Sequence, residues 1–353
     1  MTQHTQLSTT IGMDVGDAKT HLCVMDAQKR ILEERAIRTS RTTLRREFEG
    51  RSPSRVALEV GAHSRWMSAL LTELGHTVQV VDPRRLDVIA KSVTKTDRKD
   101  ARVLAALAVG VPEMLGTVRH RGEQAYVDRA LLKSRDLLVR LRTTQIQHVR
   151  SVLKTKGIPI PSISTPAFHT KVQALVPDDL KPALEPLLAV LEAMHQRIRE
   201  LDAKLEAVAL RYPAAARLQQ IHGVGPVTSL GFVLTIDDPT RFARSRDVGA
   251  WLGLCPRKRA SGEQDPQLSI TKAGDPYLRR LLVSAAQYIL GPFGKDSDLR
   301  RYGERIHKKG GRHPKKRAVV AVARKLAVVM HRLWVSGEDY RALRDPSPAV
   351  TKA

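Results

Sequence analysis

Four acidic residues have the types and placement to hold divalent cations: Asp14, Glu59, Asp97 and Asp100. Asp14 closes the apolar run Ile11-Gly12-Met13 and precedes Val15-Gly16, which puts a carboxylate at the rim of a sheet rather than on a solvated helix face. Glu59 is the single acid in Val56-Ala57-Leu58-Glu59-Val60, an apolar strand where an uncompensated charge is costly. Asp97 and Asp100 lie three apart, so a helix presents both on one face. Converging carboxylates repel unless cations sit among them, and all-oxygen ligation suits Mg²⁺ or Mn²⁺ rather than zinc. The chemistry that follows is two-metal phosphodiester cleavage, one ion activating the attacking oxygen and the other stabilising the leaving one. Taken singly, each acid has an ordinary explanation: Asp97 and Asp100 as charges at a helix N-terminus, Asp14 as a turn former.

The elements that must position these acids are readable from periodicity. Residues 11–15, 21–25 and 31–39 read as a three-stranded meander, followed by strands at 56–60 and 77–81 with a helix over 64–74 between them. Thr96 has the character of an N-cap for a helix over 97–109, whose first turn carries both aspartates. Residues 1–118 therefore form one mixed α/β domain. A helical segment follows over 119–213. Its first long helix, near 122–156, has Leu131, Leu138, Leu141, Val149 and Val152 as apolar positions. After Pro159, Pro161, Pro166 and Pro177, a second helix carries Leu184, Leu187, Leu191, Met194, Ile198, Leu201, Leu205 and Val208, with spacings that alternate three and four. That pattern predicts a coiled-coil seam, within the chain or between protomers, against the plainer alternative of a helical core. Residues 214–344 read as a mainly helical domain, and 345–353 as a tail.

Lys and Arg number 60 against 36 Asp and Glu, a formal charge of +24 that calls for a polyanionic partner, nucleic acid first. Aromatics are only 4% of the chain, which makes base stacking a secondary device. No apolar run is long enough to span a bilayer. Two cysteines, Cys23 and Cys255, are too few for a zinc site or a disulfide framework, so a reducing cytoplasm is expected.

In the last domain, Ile221-His222-Gly223-Val224-Gly225-Pro226 reads as a tight turn between apolar helices. In a helix-hairpin-helix such a turn aims amides at a phosphate, with Gly223 and Gly225 allowing close approach, although glycine turns between helices are common in every class. Residues 295–325 hold 12 Lys or Arg against 3 Asp or Glu, and Lys308, Lys309, Arg312, Lys315, Lys316 and Arg317 are phosphate-contact candidates. Arg257, Lys258, Arg259, Lys272, Arg279 and Arg280 join them as nucleic-acid-binding candidates.

Taken together, these motifs resemble the IS110-type transposases and the related Piv invertases, the DEDD recombinases. The resemblance rests on residues 11–16, Leu58-Glu59 and Lys95-Thr96-Asp97-Arg98-Lys99-Asp100-Ala101, and then on residues 221–226, Trp251-Leu252-Gly253-Leu254-Cys255-Pro256, Ser261-Gly262, residues 270–275 and 278–282. It covers nearly the whole chain, with both motif sets in order. It implies an RNase H-type, RuvC-like first domain, a helical middle segment, and a C-terminal domain that supplies a serine nucleophile. Ser261 matches that serine best and Ser269 is the second choice; where the family often has two serines before the glycine, this chain has Ala260-Ser261-Gly262.

Without the resemblance, Ser261 would pass as an ordinary polar-loop serine. The resemblance further implies cleavage of donor and target DNA through a 5′-phosphoserine linkage, a structured noncoding guide RNA, and a homo-oligomer, dimer or tetramer, acting at the bacterial nucleoid. The alternatives are a Piv-like invertase, a junction resolvase that uses water, a nucleic-acid-binding protein without catalysis, and an actin-like ATPase or sugar kinase. Asp14-Val15-Gly16-Asp17-Ala18-Lys19 is similar to the first phosphate loop of that last class, but no second phosphate loop or Walker A pattern accompanies it.

Overall fold

The computed structural model describes residues 9–82, 96–115, 118–257, 259 and 268–343. Lys95, Lys258, Ser261 and Gly262, singled out above, lie outside the described residues. The chain divides into two compact units, residues 1–120 and 121–353.

The first unit is built on a five-stranded mixed sheet in the order β3-β2-β1-β4-β5. Strands β1 (Thr9–Val15), β2 (Lys19–Asp26) and β3 (Ile31–Arg38) form the antiparallel meander expected from the sequence. Strand β4 (Arg55–Glu59) pairs parallel with β1, and β5 (Thr77–Val81) parallel with β4. Side chains alternate across the sheet, and each face has its own apolar layer. Ile11, Met13, Leu22, Val56 and Leu58 pack with Leu44 and Phe48 of helix α1 (Arg41–Phe48) and with Met67, Leu70 and Leu71 of α2 (Ser64–Glu73). The opposite face carries Cys23, Met25, Ala57 and Val81, covered by Ala101, Leu104, Ala105 and Ala108 of α3 (Asp97–Gly110).

Helix α3 lies unusually close to the sheet, because Gly12 leaves a gap where a side chain would stand. A Cβ there would sit 2.1 Å from the Ala101 carbonyl oxygen and 2.4 Å from the Ala105 nitrogen. The alanines in α3 keep its facing side equally thin. The helix starts on Thr96, whose hydroxyl accepts from the Lys99 amide as an N-cap.

In the second unit, α4 (Glu123–Thr155) and α6 (Lys181–Leu210) lie antiparallel, with α5 (Phe168–Gln173) packed at the far end of the pair. The direction follows from the contacts: Asp128 with Arg211 and Tyr212, Arg135 with Asp202, Arg142 with His195, and Gln145 with the Leu187 carbonyl. At the far end Ile146, Val149 and Leu153 meet Leu184, Leu188 and Leu191, and near the other end Leu132 meets Leu205 and Val208. Between them the Arg135–Asp202 and Arg142–His195 contacts flank a single buried apolar side chain of α6, Ile198. Leu141, expected at the seam, is instead 44% exposed, and Leu137 and Val190 are likewise exposed.

The expected boundary at residue 213 falls within this unit. Helices α7 (Pro213–Leu218), α8 (Pro226–Ile236), α9 (Asp247–Trp251), α10 (Pro276–Leu290), α11 (Asp298–Lys308) and α12 (Pro314–Ser336) share one apolar core that includes Leu218, Phe232, Val248, Leu282, Leu299 and Leu326. Among the described residues no helix is long and apolar enough to cross a membrane.

Candidate active site and nucleic-acid interface

Strand alternation decides which way the acids point. Gly12 faces α3, so Asp14, two residues on, shares that face; Ala57 packs under α3, so Glu59 shares it too. Met13 pairs with Leu58 in the parallel register, which sets Asp14 and Glu59 side by side at the carboxyl ends of adjacent strands. Helix α3 runs opposite to these strands. Near its C-terminus the Ala108 carbonyl accepts from Arg55 at the start of β4, and Gly110 lies beside Lys29 of the β2–β3 turn. Its N-terminus therefore arrives over the carboxyl ends of β1 and β4, bringing Asp97 and Asp100. Asp100 is 5% exposed, on the helix stripe that also carries Ala101 and Leu104, whereas Asp97 is open to solvent.

The structure thus gathers all four sequence-predicted acids at one corner of the first unit. Among the described residues, however, no group of three or more His, Cys, Asp or Glu side chains stands close enough to hold a metal ion. In chemistry the four fit a hard divalent cation, since every donor is a carboxylate oxygen. A helix N-terminus carrying two carboxylates also suits a cation site, because the acids outweigh the positive end of the helix dipole.

Two histidines missed in the sequence border this corner. His21 pairs with Asp14 across the β1–β2 ladder, and its Nε2 lies 3.7 Å from Asp97 Oδ2. His63, just before α2, contacts Asp17 Oδ1 through Nε2 at 3.1 Å, while Trp66 Nε1 donates to its Nδ1. With Nδ1 accepting, Nε2 is the protonated nitrogen and donates to the carboxylate. Both contacts join residues far apart in the chain, so no local motif announces them.

An ion cluster links the flank of α3 to β3. Glu34 of β3 accepts from Arg98 (2.9 and 2.6 Å) and from Arg102 (2.6 Å). The Arg102 hydrogen bond, then that of Arg98, hold the Glu34 carboxyl down from 4.5 to about 2 against the opposing effect of burial. Burial beside Glu34 pushes the Cys23 thiol up to about 11. Because the folded-state pKa of Glu34 lies below its unfolded value, its contribution to stability is complete above about pH 4.5 and is lost as pH falls towards 2. Glu34→Gln should lower the thermal midpoint at pH 7 and flatten the acid arm of the stability curve between pH 5 and 2, as followed by circular dichroism; an unchanged acid arm would remove Glu34 as its source.

In the second unit the motif around residue 253 and the one around 274 are two sides of a single main-chain contact. Gly253 (φ +70°) and Gly274 (φ +73°) leave no room for side chains: a Cβ would stand 2.3 Å from the Ala273 nitrogen in the first case and 2.2 Å from the Trp251 carbonyl oxygen in the second. Thr271 N donates to the Cys255 carbonyl and Arg257 N to the Ser269 carbonyl, so residues 257 and 269 are held together on either side of the interval containing Ser261. Ser269 itself is exposed.

The basic candidates separate into two groups. Arg279 donates to the Leu252 and Ala273 carbonyls, Arg280 pairs with Asp136 and lies over the Tyr277 ring, and Arg317 donates to the Gly310 carbonyl. All three guanidinium groups thus have partners within the fold, Arg280 while itself exposed. Arg257, Arg259, Lys272, Lys308, Lys309, Arg312, Lys315 and Lys316 are exposed. Gly223 adopts φ +95° with Tyr288 and Ile289 against it, and Gly225 opens onto free space at the start of α8.

A mixed sheet with helices on both faces, acids at adjacent strand ends and two more on an overlying helix is compatible with a DEDD, RuvC-like domain. A family model for DEDD transposases of the IS110 type matches residues 11–157, and one described as "Transposase IS116/IS110/IS902 family" matches residues 215–297. The chain is 30% identical over 334 residues to the transposase for insertion sequence element IS1328 of Yersinia enterocolitica, an alignment covering 93% of this chain and 96% of the relative. It is 27% identical to the transposase for insertion sequence element IS1111A of Coxiella burnetii (94% and 91% covered) and 28% identical to a probable family 20 transposase of Pseudomonas aeruginosa (94% and 98%). The protein is a DNA transposase. It belongs to the IS110/IS116 family of insertion-sequence transposases, whose DEDD domain implies dependence on divalent metal.

Proposed function

We propose that the chain cuts and rejoins DNA at the ends of an insertion sequence, with Asp14, Glu59, Asp97 and Asp100 holding Mg²⁺ or Mn²⁺ and Ser261 as the nucleophile. The observation that carries the metal assignment is the meeting of two strand ends and the start of α3 at one corner. When bound, the cations would offset charge on the scissile phosphate and the oxygens exchanging there. Ser261 Oγ attacks phosphorus and loses its proton, and the bond to the 3′ oxygen breaks, leaving a free 3′-hydroxyl and a 5′-phosphoserine. Attack by a 3′-hydroxyl of another strand forms the new phosphodiester and returns the serine. His21, beside Asp97, is placed to orient that carboxylate.

Backbone contacts by the turn at Gly223 and Gly225 and by the exposed basic residues from Arg257 to Lys316 would hold double-stranded DNA without reading its sequence. That division of labour leaves sequence choice to a structured guide RNA, and the +24 charge suits both polyanions. The exposed Leu137, Leu141 and Val190 on the long helix pair support a coiled-coil contact between protomers in a dimer or tetramer. Denaturing gels decide the central step. Wild-type protein incubated with labelled end DNA and metal should leave a covalent adduct that vanishes in Ser261→Ala. An adduct persisting in that variant but absent in Ser269→Ala would move the role to Ser269; cleavage with no adduct in any variant would favour water as nucleophile.

A further inference from the structure

Phe293 stands 76% exposed on the turn between α10 and α11, whose main chain is held by several hydrogen bonds. Arg300 Nη1 donates to the carbonyls of Ile289, Gly291 and Gly294 at 3.0, 2.7 and 3.0 Å. Gly294 admits no side chain, since a Cβ would lie 2.0 Å from the Ile289 carbonyl oxygen. His222 Nε2 donates to the Phe293 carbonyl at 3.0 Å, tying this turn to the glycine turn at 221–225. Tyr288, 44% exposed, lies against Gly223 and beside the His222 ring at 5.3 Å between centroids.

A single exposed apolar side chain is ordinary on any protein surface. Here the chain holds 14 Phe, Tyr and Trp in all, and two of them stand open within six residues, on a turn tied through His222 to the glycine turn in which Gly225 opens onto free space. Exposed Lys295 lies two positions further on. An exposed aromatic ring on a braced turn, beside a glycine turn and a lysine, matches the chemistry of a nucleotide: backbone on the amides and the cation, base on the ring.

We propose that Phe293, flanked by Tyr288, is a stacking contact for an unpaired or unstacked nucleobase of the nucleic acid that runs along the 221–225 turn. This rests on the reading of that turn as a phosphate contact. Phe293 takes no part in the bond-breaking chemistry; it selects nucleic acid with a base available outside the helix stack. An unpaired base costs little to present, whereas a fully paired duplex must first be unstacked.

The test uses full-length protein and two labelled duplexes, one fully paired and one with a single 2-aminopurine bulge, with affinity read by anisotropy and stacking by quenching of the 2-aminopurine. Wild type should prefer the bulged duplex and quench it. Phe293→Ala should weaken bulge binding by about five- to hundredfold and abolish quenching, and Phe293→Trp should restore both, while the fully paired duplex and the thermal midpoint barely change. Equal bulge affinity and equal quenching in wild type and Phe293→Ala would overturn the proposal and leave the DNA-binding reading standing. Failure of wild type to bind either duplex would sink that reading and the proposal with it. A change in oligomer mass in Phe293→Ala with bulge binding intact would assign the ring to a contact between copies, and also overturn it.

Discussion

Asp14→Asn should reduce metal-dependent strand cleavage by at least about a thousandfold while leaving the protein folded. The amide keeps the shape of the carboxylate and removes the charge that a hard cation needs, and loss of several kcal/mol of transition-state stabilisation corresponds to three or more decades in rate. Stability should hardly move, because Asp14 sits half-buried at a strand end, outside the apolar layers, and the amide fills the same space. The check is paired: cleavage of labelled end DNA across a Mg²⁺ titration, with DNA affinity measured on the same preparation. Affinity near wild type with cleavage lost is the expected result, and full cleavage in Mg²⁺ would remove Asp14 from the metal site.

Gly12→Val should be the most damaging single change to the first unit although it touches no charged group. Its Cβ would lie 2.1 Å from one main-chain atom of α3 and 2.4 Å from another, and neither can turn aside as a flexible side chain would. Either α3 lifts from the sheet or the strand distorts. We expect a cost of at least about 3 kcal/mol, at the upper end for overpacking in a core. Urea unfolding of the two forms would measure it, and cleavage should fall with stability because Asp97 and Asp100 travel with the helix. A variant as stable as wild type would show that α3 does not depend on this gap.

Much of the first unit was legible in its period-two strands and in the acids that interrupt them. Asp14 and Glu59 were conspicuous because a carboxylate at the end of an apolar strand needs a reason, and Asp97 and Asp100 because a capped helix start displays residues three apart together. What the pattern could not supply was direction. That α3 runs against β1 and β4, so that its start meets their ends, depends on contacts such as Arg55 with Ala108, more than fifty positions apart. His21 and His63 stayed hidden for the same reason, as each meets its aspartate across the fold.

In the second unit, charge alone does not say what a basic head meets. Arg279 and Arg280 look like nucleic-acid contacts in sequence, yet their heads are engaged by carbonyls and by Asp136. The alternating spacing of the long helices correctly marked elements that pack together, but Leu141 turned outward where Arg135, Asp202, Arg142 and His195 occupy the middle of the pair. Ser261 was never legible from physical pattern alone; family resemblance singled it out.

The two sides of the sheet answer to different constraints. Towards α1 and α2 the contact is made by large side chains, Met13, Leu58, Phe48 and Leu71 among them, which can exchange volume with one another over generations. Towards α3 the closest approach, at Gly12, is main chain against main chain, with alanines on the facing helix and little volume to trade there. Substitutions that change side-chain volume should therefore be absorbed more readily on the α1–α2 side than at Gly12 or at the alanines of α3, where the start of the helix is held over the strand ends.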